Sequence, residues 1–73
     1  MQLRKITSPW HVRFSDGSEH HAMPGEQLTI ESVDAQHHEA MVKFADGRRD
    51  WFAWNSILWH SERSLAALDI LID

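Results

Sequence analysis

The stretch His11-Val12-Arg13-Phe14-Ser15-Asp16-Gly17 returns, thirty residues later, as Met41-Val42-Lys43-Phe44-Ala45-Asp46-Gly47. The shared core is Val, a basic residue, Phe, a small residue, Asp and Gly. Val and Phe two positions apart face one side of a β-strand, and the basic residue between them faces the other. Asp-Gly then closes a tight hairpin, because glycine accepts positive φ and the aspartate side chain bonds back to its own turn. Two copies are too few for a solenoid. They are a duplication, or one hairpin solution used twice.

The remaining strands follow from this unit. The first hairpin pairs residues 10–14 with 18–23, placing Trp10, Val12 and Phe14 on one face and His11 and Arg13 on the other. Pro24-Gly25 ends the second strand. Leu28-Thr29-Ile30-Glu31 alternates apolar and polar, giving a third strand over 27–33. Residues 34–39 read as a polar turn, 40–45 as the fourth strand and 48–54 as the fifth. The period then changes. Asn55-Ser56 starts a helical turn through Ile57-Leu58-Trp59. Ser61 reads as an N-cap for a helix from Glu62 onward, with Leu65, Leu68, Leu71 and Ile72 as its apolar stripe. The expected fold is mainly β (α+β): a small antiparallel sheet or SH3-like barrel of about five strands with a short C-terminal helix. Residues 1–73 form one domain, with 1–9 as an N-terminal arm, 10–54 as the β core and 55–72 as the helical end.

A chain of 73 residues is near the lower limit for folding alone. It has no cysteine, so the core must come from side chains, chiefly four Trp and three Phe. The net charge of −4 speaks against a general nucleic-acid sleeve, which needs a basic field. No apolar stretch approaches the roughly 20 residues that span a bilayer. The first residues lack the apolar core of a signal peptide. A cytoplasmic monomer is expected.

Residues 25–58 resemble the SH3-like barrels of the Tudor and KOW type, through the strand ending Phe44-Ala45-Asp46-Gly47, the aromatic strand after it and the turn Asn55-Ser56-Ile57-Leu58. That resemblance implies an aromatic cage for methylated side chains, built here from Phe44, Trp51, Phe52 and Trp54. Alternation opposes it: Trp51 falls on one face of its strand, Phe52 and Trp54 on the other, and a cage needs several ring faces around one cation. Core packing is the expected role of Phe44 and of at least one set of the strand aromatics.

As a whole object, small, acidic and free of cysteine, the chain is similar to small phage-encoded transcription regulators that bind bacterial RNA polymerase. That likeness implies a polymerase partner in the host cytoplasm, inhibition of promoter initiation and antitermination.

Residues suited to catalysis are scattered. There is no cysteine nucleophile and no Gly-x-Ser-x-Gly elbow, and only three glycines occur in all. Asp16, Asp34 and Asp46 sit at turns, so no enzyme activity and no cofactor are expected. Six histidines are many for this length. His20 and His21 are adjacent and face opposite sides of a strand; His37 and His38 lie in a turn; His60 is the sixth. His11 with one of His20 or His21 could meet across the first hairpin, but surface histidines without metal are the expectation.

The candidate partner-binding residues are Arg4, Lys5, Ile6 and Trp10 at the arm, and Arg48, Arg49 and Trp51 past the second Asp-Gly turn. Arg and Trp are enriched at binding hot spots, and an unpaired arm can add a strand to a partner. The competing readings are an ordinary first strand and a solvated hairpin tip. The preferred function is a protein-binding regulator of bacterial RNA polymerase. The alternatives are a KOW-like module binding nucleic acid or peptide, and a self-associating subunit using its C-terminal helix.

Overall fold

The computed structural model of the chain describes residues 2–62. These form six strands and a helix: β1 (Gln2–Lys5), β2 (Trp10–Arg13), β3 (Glu19–Ala22), β4 (Gln27–Asp34), β5 (Glu39–Lys43), β6 (Arg49–Ala53) and α1 (Trp54–His60). The fold is mainly β, as expected, and its strands divide between two antiparallel sheets. One has the order β1-β4-β5-β6, and the other is the β2-β3 hairpin.

The two copies of the internal repeat fold alike. In each, the Phe carbonyl accepts from the Gly N–H, and the Phe N–H donates across the hairpin to the carbonyl of Ser18 or Arg48. Asp16 Oδ1 accepts from the Ser18 N–H at 2.9 Å, and Asp46 Oδ1 from the Arg48 N–H at 3.0 Å. Gly17 and Gly47 have φ of 89° and 93°, the left-handed conformation that closes a three-residue hairpin loop. Val12 and Val42 are fully buried, and Phe14 meets Phe44 edge to face at 5.8 Å. The two Asp-Gly units therefore bring their apolar faces together and form the centre of the core. Trp10, Phe52, Trp54 and Ile57 complete that centre, with Ile6, Leu28 and Ile30 from the other strands.

Residues 1–9 contain a strand rather than a free arm. β1 pairs with β4, Leu3 opposite Thr29 and Arg4 opposite Leu28. Beyond it, Ile6 bridges Ser61, Thr7 N–H donates to the His60 carbonyl and Glu62 N–H to that of Lys5. Leu3 and Ile6 have opposite parity, so apolar alternation does not reveal this strand. The inward positions are Arg4 and Ile6, both 1% exposed, while Leu3 faces out. Arg4 lays its stem along the core and donates from Nε to Ser61 Oγ at 2.9 Å. Burial lowers its pKa.

The helix starts at Trp54, one residue ahead of the expected Asn55-Ser56, and has no side-chain cap. Tertiary bonds do that work: Trp54 N–H donates to the His38 carbonyl, and Trp54 Nε1 to the Glu39 carbonyl at 2.9 Å. Ser61 closes α1 as its C-cap. The helix expected from Glu62 onward, with Leu65, Leu68, Leu71 and Ile72, lies outside the described residues.

The polar turn between β4 and β5 is organised by Asp34. Its Oδ1 accepts from the backbone N–H groups of Gln36 and His37, and its Oδ2 lies 2.7 Å from His37 Nδ1. The bond to His37 lowers the Asp34 pKa and raises that of His37. The stability carried by this pair is full between the two ordinary values. It fades as pH rises through the raised His37 pKa, and as pH falls through the lowered Asp34 pKa. A histidine NMR titration should place the His37 midpoint above its ordinary 6.5, and Asp34→Asn should lower it. A His37 midpoint that Asp34→Asn leaves unmoved would remove this pairing.

Candidate binding face

Register decides which side chains share the outer face of the four-stranded sheet. Leu3 opposes Thr29, Thr29 opposes Lys43 and Lys43 opposes Arg49. Met41 opposes Trp51, two residues from each end of the previous pair. Lys5 lies two residues from Leu3, on the same side of β1. The face thus carries three cations, Lys5, Lys43 and Arg49, interleaved with Leu3, Met41 and Trp51, and two carboxylates, Glu31 and Glu39. Leu3 is 62% and Trp51 42% exposed, so both present large apolar surface to solvent. Arg49 Nη1 reaches Glu31 Oε1 at 3.3 Å across the sheet, with over half of the Arg49 side chain exposed. An exposed pair of this kind contributes at most about 1 kcal/mol and leaves the guanidinium free to take another partner.

Of the seven residues chosen from sequence, this face holds Lys5, Arg49 and Trp51. Arg4, Ile6 and Trp10 are inside: Trp10 is 7% exposed, stacks on His60 at 5.0 Å and meets Phe44 and Phe52 edge to face. They hold β1 and the β2-β3 hairpin to the core and present no free surface. Arg48 points away from Arg49 and is held within the molecule. Its guanidinium lies 4.6 Å over the Phe14 ring, pairs with Asp46 at 2.6 Å and donates from Nη2 to the Glu19 carbonyl. It stitches the second turn to the first hairpin, as does Asp50, whose Oδ2 accepts from Ser15 N–H and Oγ–H. Those bonds lower the Asp50 pKa.

Sequence reasoning missed Leu3, Met41 and Lys43. The alternation around Val42 and Phe44 already turned Met41 and Lys43 outward; only the cross-strand register placed them beside Trp51. The four aromatics proposed for a cage do not converge. Phe44 and Trp54 are buried, Phe52 packs on Trp10, Phe14 and Phe44, and Trp51 stands on the opposite face.

Among the described residues no helix is long and apolar enough to cross a membrane. Comparison with protein-family models, with curated proteins and with solved structures finds no match for this chain.

Proposed function

We propose that this protein is a small non-catalytic regulator that works in the cytoplasm by docking the outer face of its four-stranded sheet on a larger protein. The observation that carries this reading is the concentration of Lys5, Lys43 and Arg49 around Leu3, Met41 and Trp51 on one face of a chain whose net charge is −4. A basic rim around an exposed Trp is suited to a partner patch that is acidic at its edge and apolar at its centre. The preferred partner is bacterial RNA polymerase. Its support is the likeness of the chain in size and composition to small phage-encoded regulators, whose action is inhibition of initiation and antitermination.

The same cations beside Trp51 favour one second reading, a KOW-like module that stacks a base on the indole and pairs phosphates with the rim. The test is binding of the purified protein to purified bacterial RNA polymerase, nuclease-treated, with promoter-dependent transcription as a second readout. Trp51→Ala is expected to weaken binding about thirtyfold, the equivalent of about 2 kcal/mol at an aromatic hot spot. Lys43→Glu with Arg49→Glu is expected to abolish inhibition. No binding to polymerase removes the preferred partner. Binding to single-stranded nucleic acid instead, with a log–log salt slope of roughly 0.7 per phosphate contact, makes the second reading correct.

A further inference from the structure

The outer face of the β2-β3 hairpin is the counterpart, thirty residues earlier, of the Met41–Trp51 pair. There the paired residues are His11 and His21, directly opposite each other across the hairpin. Their rings stack 4.3 Å apart and nearly parallel. Glu19 lies two residues before His21 on β3, so its side chain emerges on the same face. Its Oε1 sits 2.6 Å from His11 Nε2. One ligand atom from each of the three lies within 4.8 Å of the other two, and all three residues are exposed.

We propose that His11, Glu19 and His21 form a binding site for a transition-metal dication of the zinc type. Two imidazoles and one carboxylate are the donor set that suits zinc and copper rather than calcium or magnesium, which take oxygen ligands. Zinc bonds of about 2.0–2.2 Å in a tetrahedron need donors roughly 3.3 Å apart. Donor separations here run from 2.6 Å for His11–Glu19 to at most 4.8 Å, so rotation of the exposed side chains adjusts them without moving the backbone. Arg13 Nη2 lies 3.3 Å from Glu19 Oε2, the oxygen turned away from His11. It orients the carboxylate, as outer partners of metal ligands do. His20 takes no part: it faces the other way, with Nε2 2.6 Å from Glu26 Oε2. Three protein ligands leave a fourth position for water or for a donor from a partner. A metal there clips β2 to β3 at their exposed side.

The experiment is a titration of the purified protein with zinc chloride near pH 7.5, followed by calorimetry and by the histidine ring resonances. One equivalent is expected to bind, with the His11 and His21 rings shifting together and those of His37 and His38 unmoved; calcium chloride is expected to give no response. His21→Ala, at an exposed position, is expected to weaken binding at least tenfold while the amide spectrum stays folded; Glu19→Gln is expected to weaken it less. Zinc should also raise the melting temperature of the wild type and not that of His21→Ala. Absence of zinc binding up to millimolar concentration overturns the proposal, and so does undiminished binding by His21→Ala or by His11→Ala.

Discussion

Phe44→Ala is expected to leave the domain largely unfolded at room temperature. Phe44 is 2% exposed and meets Trp10, Phe14 and Phe52 edge to face, with ring centroids 5.5–5.8 Å apart. It is the side chain on which the two hairpins converge. Truncating a buried Phe costs about 3–5 kcal/mol, through lost transfer energy and the cavity left behind. A single core in a chain of this size supplies a net stability of roughly the same 3–5 kcal/mol. Guanidinium unfolding followed by tryptophan fluorescence measures the effect. The control is Trp51→Ala, expected within about 0.5 kcal/mol of the wild type because the indole faces solvent. A larger loss from Trp51→Ala than from Phe44→Ala would mean that the two faces of β5 and β6 have been assigned the wrong way round.

Reversing charge at two adjacent positions of β1 should give opposite results. Arg4→Glu is expected to cost about 3–5 kcal/mol, because it puts a carboxylate in a buried position with no cation among the described residues to meet it. Glu62, whose charge acts on Arg4, becomes a repelling neighbour. Lys5→Glu is expected to change stability by less than about 0.5 kcal/mol and to act on binding alone. Arg4→Met keeps the stem packing and drops the buried charge, so stability equal to or above that of the wild type is expected. Thermal melts by circular dichroism separate the three. An Arg4→Glu variant as stable as Lys5→Glu would show that β1 is not docked on β4 in solution. The contrast also decides which variants suit binding experiments: Lys5, Lys43, Arg49 and Trp51 test the face, whereas Arg4 tests the fold.

The buried sides of the two sheets were legible because they are periodic. Val12 and Phe14, Leu28 and Ile30, and Val42 and Phe44 are apolar at every second position, and all are inside. The turns were legible because Asp-Gly has few ways to fold, and both copies adopt the same one. The strand at β1 was not legible, because its inward residue is an arginine and its outward residue a leucine, the reverse of what hydropathy indicates. The helix start shifted for a related reason: Trp54 N–H is satisfied by the His38 carbonyl, a partner that local sequence does not reveal.

The sites divide in the same way. Sequence alone determined that Lys43 and Met41 turn outward beside inward Val42 and Phe44, that His20 and His21 face opposite sides, and that Asp16 and Asp46 belong to turns. These follow from alternation and turn chemistry, which act over two to four residues. Only the tertiary structure decided that Arg48 folds back over Phe14, that Arg4 and Trp10 are interior, and that Lys5 joins Lys43, Arg49 and Trp51. Each depends on which strand lies beside which and in what register. That choice is made by burial summed over the whole core, not by any residue and its neighbours in sequence.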